Sequence, residues 1–176
     1  TFAITDPTAD RTITFPDASI TLGAAYSPTP MWFAYANSDQ TGVTDATWTK
    51  VTNLGAEAID SDSAYDTGTQ TFTVPVGGAG NYYIFGSCVP GSGATSTMQA
   101  GGAAIYVGGV KQVDFVMDLS DNPGFKIAAH VSAILALSDG DAVTIYGYGD
   151  MTAGSPAFYS SGFTKGGRFF GWRLSA

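Results

Sequence analysis

Asp139 and Asp141 flank Gly140, and this spacing is the nearest the sequence comes to an acid–base pair, because a tight turn brings two such side chains together. Acid–base work needs an apolar pocket that raises one carboxyl, whereas Ser138-Asp139-Gly140-Asp141 has the composition of a solvated hairpin turn. His130 is the single imidazole. Its nearest hydroxyl, Ser132, falls inside a strand pattern and no G-x-S-x-G elbow is present, so a Ser–His relay has no framework. Cys88 is the single cysteine, which excludes an intrachain disulfide and a thiolate zinc site and fits a small buried apolar side chain. With Glu57 the single glutamate and no convergent acid pair, the chain is expected not to be an enzyme.

Hard oxygen donors are better represented. Asp60, Ser61, Asp62 and Asp66 crowd one segment, and Asp118, Asp121 and Asn122 another, so Asp60, Asp62, Asp66, Asp118 and Asp121 are candidate calcium ligands. Their spacing is not that of an EF-hand loop, so solvated turns are the preferred reading of these residues and calcium ligation the other. No other cofactor is expected, since Gly77-Gly78-Ala79-Gly80 and Gly101-Gly102 lack the Lys-Ser/Thr of a phosphate loop. For recognition without chemistry, the loops expected to matter are 92–99, 120–125 and 150–161. The last sets Met151, Phe158 and Tyr159 among Gly, Ser and Ala, the mix of an adaptable binding loop with aromatic anchors; core filling is the other reading of Phe158.

These residues need a scaffold, and composition says which. Charged residues are only 12% of 176, while Gly, Thr, Ser, Ala and aromatics dominate, which suits pleated strands and tight turns rather than long helices. Fifteen acidic against seven basic residues give a field that repels phosphate backbones, so nucleic acid is excluded as a partner. No apolar run approaches the roughly 18 residues of a membrane span, and no basic-then-apolar leader opens the chain, so no membrane insertion is expected. A start at Thr1 leads us to expect a piece of a longer protein.

Residues 1–24 read as a lead-in: a turn cluster at Asp6-Pro7-Thr8-Ala9-Asp10-Arg11, the short strand Thr12-Ile13-Thr14-Phe15, and a second turn at Pro16-Asp17. Residues 25–176 read as one all-β domain, with strands over 32–36, 47–54, 71–74, 82–88, 102–107, 111–119, 126–137, 142–148 and 168–174. Helix formers in Ile127–Leu137 compete with strand there, but the turn that follows leads directly into Val143-Thr144-Ile145-Tyr146, which fits a hairpin. Tyr82–Phe85 and Tyr146–Tyr148 carry large side chains on both faces, and Tyr83, Phe85, Tyr146 and Tyr148 are therefore candidate subunit-interface residues.

The spacing of Leu54, Asp60, Tyr65, Phe72, Gly80, Tyr82 and Ile84 resembles the signature of the C1q/tumour-necrosis-factor head domain: an aromatic, a carboxylate or amide, two aromatics, then G-x-Y-x-F. Leu54 and Ile84 replace Phe, and Gly77-Gly78-Ala79 lengthens one turn by two residues. Val131–Leu137 with Gly140-Asp141-Ala142-Val143 resembles the family's SG-x-x-x-L-x-x-GD-x-V stretch, and Phe170–Leu174 its closing strand. The resemblance implies an antiparallel β-sandwich of the jelly-roll type, with first and last strands paired near the centre of one sheet and three protomers around a threefold axis. Ala9–Ser19, ADRTITFPDAS, resembles a segment that precedes the C-terminal head of phage fibre proteins. Together the resemblances imply a homotrimeric, non-enzymatic head of a tail or surface fibre, on a virion and outside the cell, recognising a host cell-surface glycan or protein. The alternative they leave open is a structural module that trimerises and caps a fibre or decorates a capsid.

Overall fold

The computed structural model describes residues 29–93, 97–160 and 166–175, so the lead-in and its strand at 12–15 lie outside the described residues, as do 94–96 of the loop 92–99 and residue 161. The described chain is all β, without a helix, and its strands are antiparallel. In order they are β1 (Met31–Tyr35), β2 (Thr49–Lys50), β3 (Ala56–Asp60), β4 (Tyr65–Asp66), β5 (Thr71–Thr73), β6 (Gly80–Cys88), β7 (Pro90–Ser92), β8 (Met98–Val107), β9 (Val110–Asp118), β10 (Ala129–Leu137), β11 (Ala142–Met151), β12 (Pro156–Phe158) and β13 (Arg168–Ser175). One sheet runs β10-β6-β13-β1-β3, a second β4-β5-β11-β8-β9 with β2 also on β11, and β7 pairs with β12. The first and last strands pair beside the centre of the first sheet, as expected, with Phe33 opposite Phe170.

Alternation builds the core. On β6, Tyr82 and Ile84 point inward and Tyr83 and Phe85 outward; on β11, Val143 and Ile145 point inward and Tyr146 and Tyr148 outward. Between the sheets Trp32 of β1 lies flat on Phe72 of β5, with ring centroids 3.7 Å apart and planes at 9°, and Phe169 meets the indole edge-on at 5.2 Å. This cluster fits because Gly171, directly opposite Trp32, has no Cβ: one added there would run into the indole and sit 2.6 Å from the Tyr83 carbonyl.

The segment 72–85 crosses from one sheet to the other. Phe72 belongs to the second sheet and Tyr82 to the first, and the corner between them turns through Gly77 at φ +79°. The Asp139 carboxylate accepts the Gly77 and Ala79 amides, each at 2.8 Å, and so ties this corner to the β10–β11 turn.

Four short strands, β3, β4, β7 and β12, escaped the sequence pattern. The expected strand 47–54 shrinks to β2, because beyond it Val51 and Leu54 turn inward and Asn53 donates to the carbonyls of Ser38 and Phe158. The pairing instead resumes as β3, an edge strand without apolar alternation, whose interior residues are exposed. β7 and β12 begin with proline and are buried at every residue, so neither shows a period of two.

Replacing Phe72 by Ala removes one half of the stack at the centre of the core. We expect a loss of about 3–5 kcal/mol, read as a lowered urea midpoint at unchanged slope; a loss below about 1 kcal/mol would show that the stack does not organise the core.

Candidate functional site

The family-like spacing has a physical basis in a buried polar link. The Asp60 carboxylate accepts the amides of Ala64 and Tyr65 at 2.9 and 3.0 Å, which fixes the turn into β4 and points the Tyr65 ring inward. The Tyr65 hydroxyl then donates to the Leu54 carbonyl at 2.8 Å, and its pKa is raised mainly by burial and secondarily by Asp66 and Glu57. Asp60 is thus engaged in holding the backbone.

Other carboxylates act in the same way. Asp66 accepts the amides of Gly68 and Thr69 and the Thr69 hydroxyl, Asp118 accepts the amide and hydroxyl of Ser120, and Asp62 accepts the Ser61 hydroxyl. For Asp66 and Asp118 these bonds hold the carboxyl below its ordinary range. Among the described residues no three His, Cys, Asp or Glu side chains come close enough to hold a metal ion, so Asp60, Asp62, Asp66, Asp118 and Asp121 are not gathered into one ligand set. Asp139 and Asp141 are likewise committed to backbone amides, Asp141 to that of Ser138. Cys88 is buried with its thiol pushed up to about 12 by desolvation.

The expected binding trio is split by burial. Phe158 is 1% exposed, its ring lying under Gly147, and Met151 is 6% exposed, so both belong to the interior and cannot touch a receptor directly. Tyr159 alone is at the surface, with the Lys126 ammonium 3.5 Å from its ring centroid. The strands explain this: β11 runs on to Met151 and β12 pairs with β7, so Met151 and Phe158 lie in strands that face the interior.

The four candidate interface residues also divide, since Tyr83 and Phe85 face outward from the first sheet and Tyr146 and Tyr148 from the second, on opposite sides of the sandwich. On the first sheet Tyr83 and Phe85 join residues that the sequence pattern did not single out, Phe33 and Tyr35 of β1 and Phe170 and Trp172 of β13. Phe85 stacks on Phe170 at 4.7 Å, Phe33 meets Phe170 edge-on at 5.8 Å, and Tyr83 packs on Trp172 at 4.8 Å. The result is one continuous, half-buried aromatic face, bordered by Ile59 and Ile134, which are 42% and 64% exposed. A depression of about 300 Å³ opens on it between Phe33, Ile59, Phe170 and Trp172. The signal that could have found it is the i, i+2 pairing of aromatics on two strands expected to be neighbours.

Neither a family model nor a curated protein matches the sequence. Solved structures do match the fold. The globular domain of the zebrafish complement 1qA protein superposes with a TM-score of 0.54 at 14% identity, covering 83% of this chain and 98% of that one. The Eiger TNF of S. frugiperda gives 0.58 at 11% identity, covering 82% and 92%. With the strand order above, this makes the described chain a jelly roll of the C1q/tumour-necrosis-factor type.

Two consequences can be checked. The Cys88 thiol is expected to resist alkylation at neutral pH in the folded protein and to react on unfolding; rapid labelling of the native state would contradict its burial. Asp139 has a folded pKa held below its unfolded value by the Gly77 and Ala79 amides, so its contribution is present above about pH 4 and lost as pH falls through the folded pKa. Asp139→Asn should therefore lower stability at pH 7 and shrink the acid-side decline, measured as melting temperature between pH 7 and pH 2; an unchanged profile would remove Asp139 from the linkage.

Proposed function

We propose that this chain is the homotrimeric, non-enzymatic head of a fibre of the phage tail-fibre kind, exposed on a virion and recognising a host cell-surface glycan or protein. The observation that carries the trimer is the aromatic face of the first sheet. Six large rings on three adjacent strands, rimmed by exposed isoleucines, form a surface that a monomer leaves partly in water, and its burial at roughly 25 cal/mol per Å² of apolar area is a sufficient driving force for association. Two further copies of the chain are the fitting occupants, because the matched folds come from the C1q and TNF groups and the face lies on the sheet that joins the chain ends. The resemblance of Ala9–Ser19 to the lead-in of fibre heads supports the fibre setting. The carboxylates committed to turns support a role in binding rather than catalysis.

Light scattering of the purified chain should give three times the chain mass, unchanged by a chelator, since the acidic side chains serve their own loops. Phe170→Glu, which places a charge in the middle of the face, should yield a monomer that keeps its β-type circular dichroism. A wild-type monomer, or a trimer indifferent to a charge at both Phe170 and Phe33, would overturn the assignment, and a trimer lost on chelation would place calcium at the acidic loops.

A further inference from the structure

We propose that the outer face of the second sheet carries a binding cleft for a neutral saccharide, walled by the rings of Trp48 and Tyr148. The inference rests on the reading of the chain as a recognition head and names the ligand class and the site for it.

The cleft follows from residue size along three paired strands. Ala100 and Gly102 of β8 stand between Tyr148 and Asp150 on β11 and Val116 and Asp118 on β9, with Gly102 paired to both Tyr148 and Val116, and Ala100 to both Asp150 and Asp118. Small residues on the middle strand and large ones on both sides leave a depression of about 480 Å³, lined by Trp48, Tyr148, Gln99, Asp118, Ser120 and Asp150. Asp118 and Asp150 sit two strand spacings apart, about 9.5 Å between backbones, so they face one another across the width of the floor.

The walls are held before any ligand arrives. Trp48 and Tyr148 pack at 5.3 Å with planes at 44°, and the Lys111 ammonium lies 4.9 Å from the indole while also bound to Asp114. The segment before Trp48 is pinned to β11 by Ala46 N–H to the Gly149 carbonyl at 2.9 Å and by Met151 N–H to the Asp45 carboxylate at 2.9 Å. Gly102 gives the indole its seat: an added Cβ would lie 3.1 Å from its rim and 2.7 Å from the Phe115 carbonyl. Such preorganisation lowers the ordering cost of binding.

The chemistry points to sugar. A pyranose has an apolar face of C–H groups, which suits the electron-rich face of an aromatic ring, and a rim of hydroxyls that need acceptors. Here the acceptors are at the rim: Asp118 uses one oxygen on Ser120, and no hydrogen bond from a described residue takes up the side chains of Gln99 and Asp150. The Tyr148 hydroxyl, raised above its ordinary range by burial first and then by Asp150 and Asp45, stays protonated and offers an O–H to a ligand acceptor. Two carboxylates and a chain charge of −8 disfavour uronic and sialic acids, so the expected ligands are hexoses and N-acetylhexosamines.

The test is an array of immobilised oligosaccharides built from hexoses, N-acetylhexosamines, uronic acids and sialic acid, probed with the whole chain. Binding to neutral members is expected, with a loss of at least tenfold in Trp48→Ala and in Asp150→Ala at unchanged solution mass and circular dichroism. Either variant suffices, because Trp48 and Asp150 lie at the surface. Binding untouched by both substitutions, binding confined to acidic members, or a correctly assembled trimer that binds nothing would each overturn the inference while leaving the trimeric assignment standing. A monomer that binds neutral members through Trp48 would do the reverse.

Discussion

The stack of Trp32 on Phe72 is the contact on which the rest of this jelly roll depends. It joins the first strand of one sheet to a short strand of the other, and Phe169 and Tyr82 close around it, so strands distant in sequence meet at one point. Rings at van der Waals separation need a floor without side chains, and Gly171 supplies it on the strand that pairs with Trp32. The same device recurs where Gly86 makes room for Ile145 and Gly147 for Phe158. Bulk on one sheet is thus accommodated by glycine on the strand it meets.

Because strand side chains alternate, a core so rich in aromatics leaves aromatics outside as well. Phe169 faces in and Phe170 out; Tyr82 faces in and Tyr83 out. The two outer faces that result differ in character. That of the first sheet is broad, continuous and apolar, suited to a surface of its own kind. That of the second is narrower, broken by a floor of small residues and edged with carboxylates and an amide, suited to a polar ligand with an apolar side.

The acidic residues tell a parallel story. In composition they invite metal or acid–base chemistry, but in the fold nearly all of those singled out accept hydrogen bonds from backbone amides or neighbouring hydroxyls at turns. Asp60 aligns Tyr65 with the Leu54 carbonyl, and Asp139 binds the corner that carries the chain from one sheet to the other. These carboxylates serve architecture, since a carboxylate held by several N–H donors is a fixed brace for a loop without regular structure.

By itself the sequence determined the fold class and most of the long strands, because apolar alternation, turn residues and the Leu54-to-Ile84 spacing are local signals that pleat geometry turns directly into strands. It also determined that the 71–85 segment is a turn between large apolar strands, but not whether that turn stays in one sheet or crosses to the other. Only the tertiary structure decided this, along with the burial of Met151 and Phe158, the separation of Tyr83 and Phe85 from Tyr146 and Tyr148, and the meeting of Trp48 with Tyr148 across a hundred residues. Each of these depends on which strands become neighbours. Pairing between segments distant in the chain leaves no periodic trace in either one, since an outward residue reads the same whether it lies on a subunit face, a binding cleft or open solvent.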